Sequence, residues 1–305
     1  MHGATFLTAV ATSPSVKRQL TVPTLRTRPA FRGQVCQSWY PVLEYSLLLL
    51  LLLLPATPSL AQGISDNSFL VEEAYNQEAG VVQHISNFRR DRAGDWLFTF
   101  TQEWPASSQR DQFSYTLPLQ SGGGGRALGD VVVNYRRQLV GRGEQPVWFS
   151  PRLSVVIPTG STRKGTGLGG PGLQLNLPLS TQLTRKIVTH WNAGATITHA
   201  NVDGTRGNLR SLTAAASAIW LVAPTFNFML ESAWDRTEAI GDANLRATDN
   251  HFVLLPGMRA AINLKSGMQI VPGFGVPIGL GPSRGQRDLF FYLSIEHPFR
   301  RVPEP

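Results

Sequence analysis

Cysteine is almost absent from this sequence, since Cys36 is the only one in 305 residues. A single thiol excludes a disulfide framework and any metal site built from several cysteines. Charged residues are also sparse, at 16% of the chain, and long apolar runs are nearly missing. With a mean hydropathy of −0.08, the chain does not fit a protein that crosses the membrane with several helices, each of about 20 apolar residues.

One apolar run does occur near the N-terminus, where residues 47–54 are all leucine. Pro55 follows it, and small residues at Ser59 and Ala61 complete the pattern of a secretory signal cleaved after Ala61. We therefore expect residues 1–61 to be a leader and signal peptide. The long stretch before the apolar run exceeds an ordinary signal, which indicates a translation start assigned too early.

Removal of this leader changes the charge of the chain. The leader holds five basic residues and one acidic residue, so the formal net charge falls from +8 to +4. The remaining charges are scattered along residues 62–305, and no nucleic-acid partner is expected because no basic patch remains. This part of the chain has no cysteine, so an exported protein of this sequence must be stable without disulfides.

From about residue 80 onward, apolar and polar residues alternate in short segments separated by Gly, Pro, Ser, Asn and Asp, which indicates β-strands. In residues 172–180, for example, leucines occupy one face while Gln174 and Asn176 occupy the other. No long amphipathic helix is predicted there. The predicted strands are residues 80–88, 94–104, 111–118, 129–139, 147–157, 172–181, 185–198, 208–222, 225–235, 250–264, 267–277 and 288–299.

The connections between these strands alternate in length. Five are long and rich in Gly and polar residues, at 119–128, 158–171, 199–207, 236–249 and 278–287, and five between them are short, at 105–110, 140–146, 182–184, 223–224 and 265–266. Long extracellular loops alternating with short periplasmic turns are typical of outer-membrane barrels. We predict an all-β fold, an antiparallel transmembrane β-barrel of about 12 strands in residues 80–299. A soluble periplasmic β-sandwich is the alternative.

Aromatic residues lie near the ends of several predicted strands, as in the interfacial girdles of membrane proteins. They are Trp96, Trp104, Trp148, Trp234, Tyr292 and Phe299. The last strand ends at Phe299, which resembles the assembly signal of outer-membrane barrels, although a tail of residues 300–305 follows it. We therefore expect the barrel-assembly machinery, outer-membrane lipid and lipopolysaccharide as partners.

Residues 62–79 differ from the rest because they lack the strand pattern. Residues 64–68 contain capping residues that favour a short helix through residues 69–75. We expect a short N-terminal helical or extended segment after the signal peptide. It lies at the periplasmic mouth, enters the lumen as a plug, or forms a flexible terminus.

Several strings in this chain resemble a bacterial outer-membrane family labelled "meta-pathway of phenol degradation". They are residues 67–78, 80–85, 100–105, 129–131 with 134–136, 151–154 running to 158–160, and 190–194. The resemblance spans about residues 64–299. It implies a transporter-like outer-membrane barrel, and its label implies uptake of aromatic compounds. It supplies no catalytic or binding residue.

No catalytic residue, cofactor site or metal site is predicted, so the protein is not expected to be an enzyme. Residues 165–170 match G-x-G-x-x-G, but Pro171 and a strand follow them, whereas a dinucleotide site needs this motif to open a helix. The histidines show no metal-ligand spacing. A hydrolase with a triad assembled from distant strands stays open as a minor alternative.

The polar faces of the predicted strands supply candidate lumen-lining residues. They are Glu103, Asn134, Arg136, Arg152, Asn176, His190, Asn192, Arg210, Glu231, Arg259, Asn263 and Glu296. Buried charges must be paired or hydrated, so this set forms either a water-filled selectivity path or a closed interior crossed by salt bridges.

The predicted function is an outer-membrane channel or uptake porin for small, aromatic or hydrophobic molecules, with no cofactor. The alternative is a structural barrel that anchors partners without transporting anything. Bilayer conductance distinguishes the two, and a heat-modifiable gel shift in detergent distinguishes either from a soluble sandwich.

Overall fold

A computed structural model describes residue 64 and residues 68–122, 125–141, 145–240 and 246–299. The predicted leader, its cleavage site after Ala61 and the tail at residues 300–305 lie outside the described residues. No helix in the described part of the chain has the length and hydropathy that a membrane span requires.

The described chain forms one closed antiparallel barrel of 12 strands, several of which are interrupted. β1 pairs with both β2 and β17, so the first and last strands close the wall. β4, β6, β9, β14 and β16 are short strands that each continue the line of an adjacent strand in the same wall. The strands are β1 (Val81–Arg90), β2 (Trp96–Pro105), β3 (Asp111–Gly122), β4 (Gly125–Leu128), β5 (Val131–Arg137), β6 (Val147–Phe149), β7 (Arg152–Ile157), β8 (Gly172–Asn176), β9 (Leu179–Thr184), β10 (Ile187–Val202), β11 (Thr205–Ala223), β12 (Phe226–Ile240), β13 (Arg246–Ala260), β14 (Ile262–Asn263), β15 (Gln269–Gly275), β16 (Ile278–Gly279) and β17 (Leu289–Pro298).

All twelve predicted strands are present, but three predicted long loops are mostly strand. β10 and β11 continue until they meet at Asp203 and Gly204, whose positive φ angles of 50° and 83° fit a tight hairpin turn. Likewise, β3 extends to Gly122 and β12 extends to Ile240. These extensions lack clear apolar alternation because polar residues occupy both faces, so the sequence pattern indicated loops.

Prolines explain two of the interruptions in the wall. Pro151 lies between β6 and β7, and Pro178 lies between β8 and β9, where the missing N–H removes a ladder bond. Pro118, Pro256 and Pro272 instead lie within β3, β13 and β15. Two of these five prolines therefore mark breaks between short strands, and three lie within continuous strands.

The two faces of the barrel wall have the polarity that lipid requires. Along β7, Arg152 and Ser154 are 4% and 1% exposed, while Leu153 and Val155 are 54% and 47% exposed. A soluble sandwich would bury the leucines and expose the arginine, so that alternative is wrong. In this stretch apolar side chains point outward and polar side chains point inward, as in membrane-spanning barrels. β11 and β13 also bury the apolar side chains of Ile219, Val253 and Leu255 in the interior.

Two residues expected in the aromatic girdles face the interior instead. Tyr292 is 3% exposed, and Trp148 packs edge-on against Tyr75 at 4.8 Å between ring centroids. Both lie near strand ends, where girdle residues occur. Their side chains point inward, however, and pack in the interior of the barrel. The outward tryptophans include Trp191 and Trp220, which are 51% and 54% exposed.

The two ends of the barrel differ in their connections. We call the end with the connections at residues 106–110, 138–146, 185–186, 224–225 and 264–268 the short-turn end, and the opposite end the long-loop end. In outer-membrane barrels, the end with the short turns faces the periplasm.

Loop 158–171 at the long-loop end is tightly packed. Leu168 contacts Ala200 and Leu209 in a small buried cluster, and a side chain at Gly170 would collide with the His199 carbonyl. The Asp130 carboxylate accepts hydrogen bonds from the main chain of this loop, including the Leu168 N–H at 3.1 Å. Burial raises the pKa of Asp130, while these hydrogen bonds act in the opposite direction.

Candidate functional site

Residues 68–77, which we call the inner segment, run through the barrel interior. Their conformation is extended with bends, and the predicted helix over residues 69–75 does not form. The main-chain groups that a helix would pair internally are instead bound by side chains of the wall. The N–H groups of Glu72, Ala74 and Gln77 donate to Asn192, Ser180 and Gln112 at 2.8–2.9 Å.

A cluster of charged side chains holds the middle of the inner segment. Arg136 of β5 lies directly opposite Arg152 of β7 in the strand register, and two like charges in this position repel each other. The Glu72 carboxylate separates them, with one oxygen 3.1 Å from Arg136 Nη1 and the other 2.9 Å from Arg152 Nε. Asn176 Nδ2 donates to the second oxygen at 2.8 Å.

Arg136 also binds the inner segment through other groups. It donates to the main-chain carbonyls of Glu73 and Tyr75 and to Asn76 Oδ1. Glu103 lies 3.9 Å away on the wall. Arg136 is 1% exposed, and a buried guanidinium needs this many acceptors to offset its lost hydration.

Arg152 is held by the wall on the other side of Glu72. It donates to Asn134 Oδ1 at 2.5 Å and to Gln174 Oε1 at 3.2 Å. Asn134 in turn donates to Ser114 at 3.0 Å. The arginine is therefore fixed in position by neighbouring strands, in addition to its ion pair with Glu72.

A second anchor lies nearer the beginning of the inner segment. The Glu231 carboxylate of β12 accepts hydrogen bonds from the N–H groups of Phe69 at 2.7 Å and Leu70 at 2.6 Å. Hydrogen bonds with an ionised acceptor are about twice as strong as neutral ones. Ser68 Oγ also meets Ser217 Oγ of β11 at 2.8 Å, so this end of the segment is tied to two neighbouring strands.

The Phe69 ring packs into a space that three glycines leave open. A Cβ atom on Gly257 or Gly273 would lie 2.5–2.6 Å from the ring, and one on Gly275 would lie 3.3 Å from it. The ring also packs on Phe290 and Tyr292, each at 5.3 Å between centroids. Strands β13 and β15 thus present a flat, glycine-rich surface that fits this aromatic side chain.

The inner segment contributes to the lining of two cavities in the barrel. A cavity of about 1220 Å³ is lined by Tyr75, Trp148, His190, Arg259 and residues of the short turns. A smaller cavity of about 110 Å³ is lined by Glu72, Arg152, Asn134 and strand residues such as Arg89 that lie nearer the long-loop end. The first cavity contains residues 73 and 75–77 of the inner segment in its lining, and the second contains residues 68–72.

Most of the predicted lumen-lining residues are buried in the interior. Nine of them are at most 6% exposed, namely Glu103, Asn134, Arg136, Arg152, Asn176, His190, Asn192, Glu231 and Arg259. Glu296 lines the large cavity, and Asn263 accepts a hydrogen bond from Gln269 at 2.8 Å. Glu103, Asn134, Arg136, Arg152 and Asn176 meet around Glu72, whereas Glu231 binds a separate part of the segment.

Arg210 does not belong to this set, because the structure places it exposed on the outward face of β11. The inward phase of this strand is given by Leu209, Ala215, Ser217 and Ile219, which are all buried. The alanines at residues 214–216 do not show which face of β11 is polar, so the prediction that Arg210 points into the lumen is wrong.

Sequence reasoning missed several residues that bind the inner segment. The most important is Glu72, together with Gln112, Ser150 and Ser180 of the wall. Gln112 and Ser114 alternate with Phe113 and Tyr115 in β3, so extending the polar phase through this strand would have found Gln112.

One string has the spacing of a His and a Ser in some membrane-embedded hydrolases, namely His84-Ile85-Ser86 in β1. His84 Nε2 lies 3.2 Å from His297 Nε2, and the His84 ring stacks with those of Phe100 and His297. These contacts orient His84 toward aromatic neighbours on β2 and β17. Within the described residues, no group of three or more His, Cys, Asp or Glu side chains is arranged to hold a metal ion.

Comparison with solved structures finds outer-membrane proteins that are similar to this chain. An outer-membrane channel of Pseudomonas putida F1 superposes with a TM-score of 0.54 and 11% identity, covering 73% of this chain and 97% of that one. The NanC porin gives a TM-score of 0.44 at 10% identity, covering 71% and 98%. The CymD monoaromatic hydrocarbon channel gives 0.35 at 11% identity, covering 73% and 90%.

No family model matches the sequence, and no curated protein matches it either. The resemblance to the phenol-degradation family is therefore not confirmed beyond its coarser part, the outer-membrane barrel fold. At these identities the structural likeness concerns the fold alone.

Proposed function

We propose that the protein is an outer-membrane channel for small solutes and that the inner segment closes its lumen. The observation that carries this proposal is the position of the inner segment, which contributes to the lining of both interior cavities. A segment held by side-chain contacts at both ends and in the middle blocks the path without being part of the wall. Its displacement would join the cavities into one passage.

The composition of the interior supports a channel over a purely structural barrel. A barrel that only anchors partners gains nothing from an interior cavity of about 1220 Å³, because empty or water-filled volume lowers packing and hence stability. Polar side chains such as Thr99, Thr116 and Asn134 are aligned along the inner face of neighbouring strands. Such residues can hydrate a passing solute.

Planar-bilayer conductance tests the proposal. The mature protein should give low or infrequent currents, and a variant that lacks residues 68–77 should give larger ones under the same conditions. A heat-modifiable gel shift must first show that both barrels are folded. Equal absence of current from both folded proteins would favour the structural barrel.

The solute class is the finer part of the proposal. The Tyr75 and Trp148 rings at the large cavity can stack with an aromatic solute, in line with the label of the resembling family. Liposome-swelling rates for phenol and for an aliphatic alcohol of similar size test this preference. Equal rates for both would refute an aromatic preference while leaving the channel intact.

A further inference from the structure

We propose that Arg136 and Arg152 form a binding site for the carboxylate of a small organic acid, which Glu72 occupies while the lumen is closed. The inference rests on the channel function proposed above, since it concerns what displaces the inner segment. In this account a solute carboxylate competes with Glu72 and releases the segment from the wall.

The contacts of Glu72 are those that a free carboxylate would require. Each of its oxygens pairs with a different arginine, and Asn176 adds an amide donor to one of them. Ion pairs and charge-assisted hydrogen bonds of this kind recognise carboxylates in general. Nothing in these contacts involves the main chain of Glu72, so the carboxylate group alone satisfies them.

This arrangement differs from the other anchors of the inner segment. Glu231, Asn192 and Ser180 bind main-chain groups of the segment, and a small solute cannot imitate those contacts. At the arginine pair, the wall instead meets a charged side chain of the segment. A soluble acid can take the place of this carboxylate, while the bonds from Arg136 to the carbonyls of Glu73 and Tyr75 are separate contacts that break when the segment leaves.

The charges of the cluster favour one negative charge at this position. Arg136, Arg152, Glu103 and Glu72 together sum to zero, with Glu103 lying 3.9 Å from Arg136. Departure of Glu72 would leave one uncompensated positive charge in the interior, which costs several kcal/mol. A monocarboxylate restores neutrality, whereas a neutral solute of the same shape does not.

The small cavity adjoins this position. It is lined by Glu72, Arg152, Asn134 and Asn176, so a solute there lies next to the arginine that it must bind. At about 110 Å³, this space holds only a few water molecules, each of which occupies about 30 Å³ in the liquid. Any acid that pairs with both arginines must displace the Glu72 carboxylate, because that group already occupies their contacts.

Acetate and its neutral analogue acetamide are suitable probes, with Glu72→Gln as the main variant. In wild type, Glu72 competes as a tethered ligand, and tethered groups reach effective concentrations of about millimolar or above. Calorimetry on the folded, detergent-solubilised mature protein should therefore show at least about tenfold tighter acetate binding to Glu72→Gln than to wild type. Acetamide should bind neither protein.

The conductance of the same proteins supplies the second readout. Acetate should increase wild-type current beyond that of chloride at equal bulk conductivity, and Glu72→Gln should show increased current without acetate. Asp203→Asn is the control, because it removes one negative charge without a change of shape from the exposed turn between β10 and β11, away from the arginine pair. It should behave as wild type does.

Arg152→Lys tests the site while conserving the charge. The ammonium cannot reproduce the guanidinium contacts with both Glu72 and the wall amides, so acetate binding to Glu72→Gln/Arg152→Lys should weaken at least severalfold. Equal acetate affinity of wild type and Glu72→Gln would overturn the carboxylate proposal. If the variant lacking residues 68–77 conducts normally in that case, the channel function still holds.

Discussion

Phe69→Ala should weaken the attachment of the inner segment more than any other single truncation of its apolar side chains. The ring is 5% exposed and lies against Gly257, Gly273, Phe290 and Tyr292. Removing a buried Phe ring typically costs about 3–5 kcal/mol. Because 1.4 kcal/mol is a factor of ten, the closed-to-open ratio should fall by at most about 10²-fold to a few thousandfold.

Single-channel recording of open probability measures this change. Phe113→Ala is the matched control, since Phe113 is 42% exposed on the outward face and does not touch the inner segment in the packing described above. It should leave the open probability unchanged.

A double-mutant cycle with Gly273 makes the test specific to the ring contact. A Cβ on Gly273 would lie 2.6 Å from Phe69 Cε1, so Gly273→Ala should push the ring away and open the channel. In the Phe69→Ala background, the same substitution should have little effect because the ring is gone. Additive effects of the two substitutions would refute the reasoning, since contacting residues must couple.

Three further substitutions follow from the same contacts. Glu231→Gln should increase open probability about tenfold or more, because the amide has one acceptor oxygen and keeps only one of the two bonds to the Phe69 and Leu70 N–H groups. A buried donor left unpaired costs about 1–3 kcal/mol. An unchanged open probability would show that this anchor is unimportant. Arg210→Ala should alter neither current nor ion preference, because Arg210 points outward; a changed reversal potential would place it on the conduction path. Gly204→Ala should lower the thermal stability of the barrel by about 1 kcal/mol, since the φ of 83° strains a residue with a Cβ, and it should leave the current unchanged.

The fold could be predicted from the sequence to the extent that lipid and interior impose opposite polarities on alternate residues. Leu153 and Val155 point outward while Arg152 and Ser154 point inward, and this contrast is visible in the sequence. Where polar and apolar residues do not alternate, neither the strand boundaries nor the inward face can be predicted. The alanine run in β11 gave no indication that Arg210 points outward. The hairpin around Asp203 is polar, so the sequence pattern predicted a loop there.

The candidate site was less accessible to sequence reasoning because it depends on contacts between distant parts of the chain. Arg136 and Arg152 were identified as interior residues, but their shared contact with Glu72 depends on the path of the inner segment. The space for Phe69 depends on the pairing of Gly257 with Gly275 and of Arg259 with Gly273. From the sequence, an isolated glycine in a strand shows neither which residue it pairs with nor that an aromatic ring packs on it.

The closure of the lumen by the inner segment is tested most directly by a reversible cross-link. The Oγ atoms of Ser68 and Ser217 meet at 2.8 Å, so Ser68→Cys/Ser217→Cys should form a disulfide between the segment and β11, and residues 62–305 contain no other cysteine. We predict that the oxidised protein stays closed in a planar bilayer and that a reductant restores current to the level of the single-cysteine variants. Equal currents before and after reduction, with the disulfide verified by mass spectrometry, would contradict closure of the lumen by this segment.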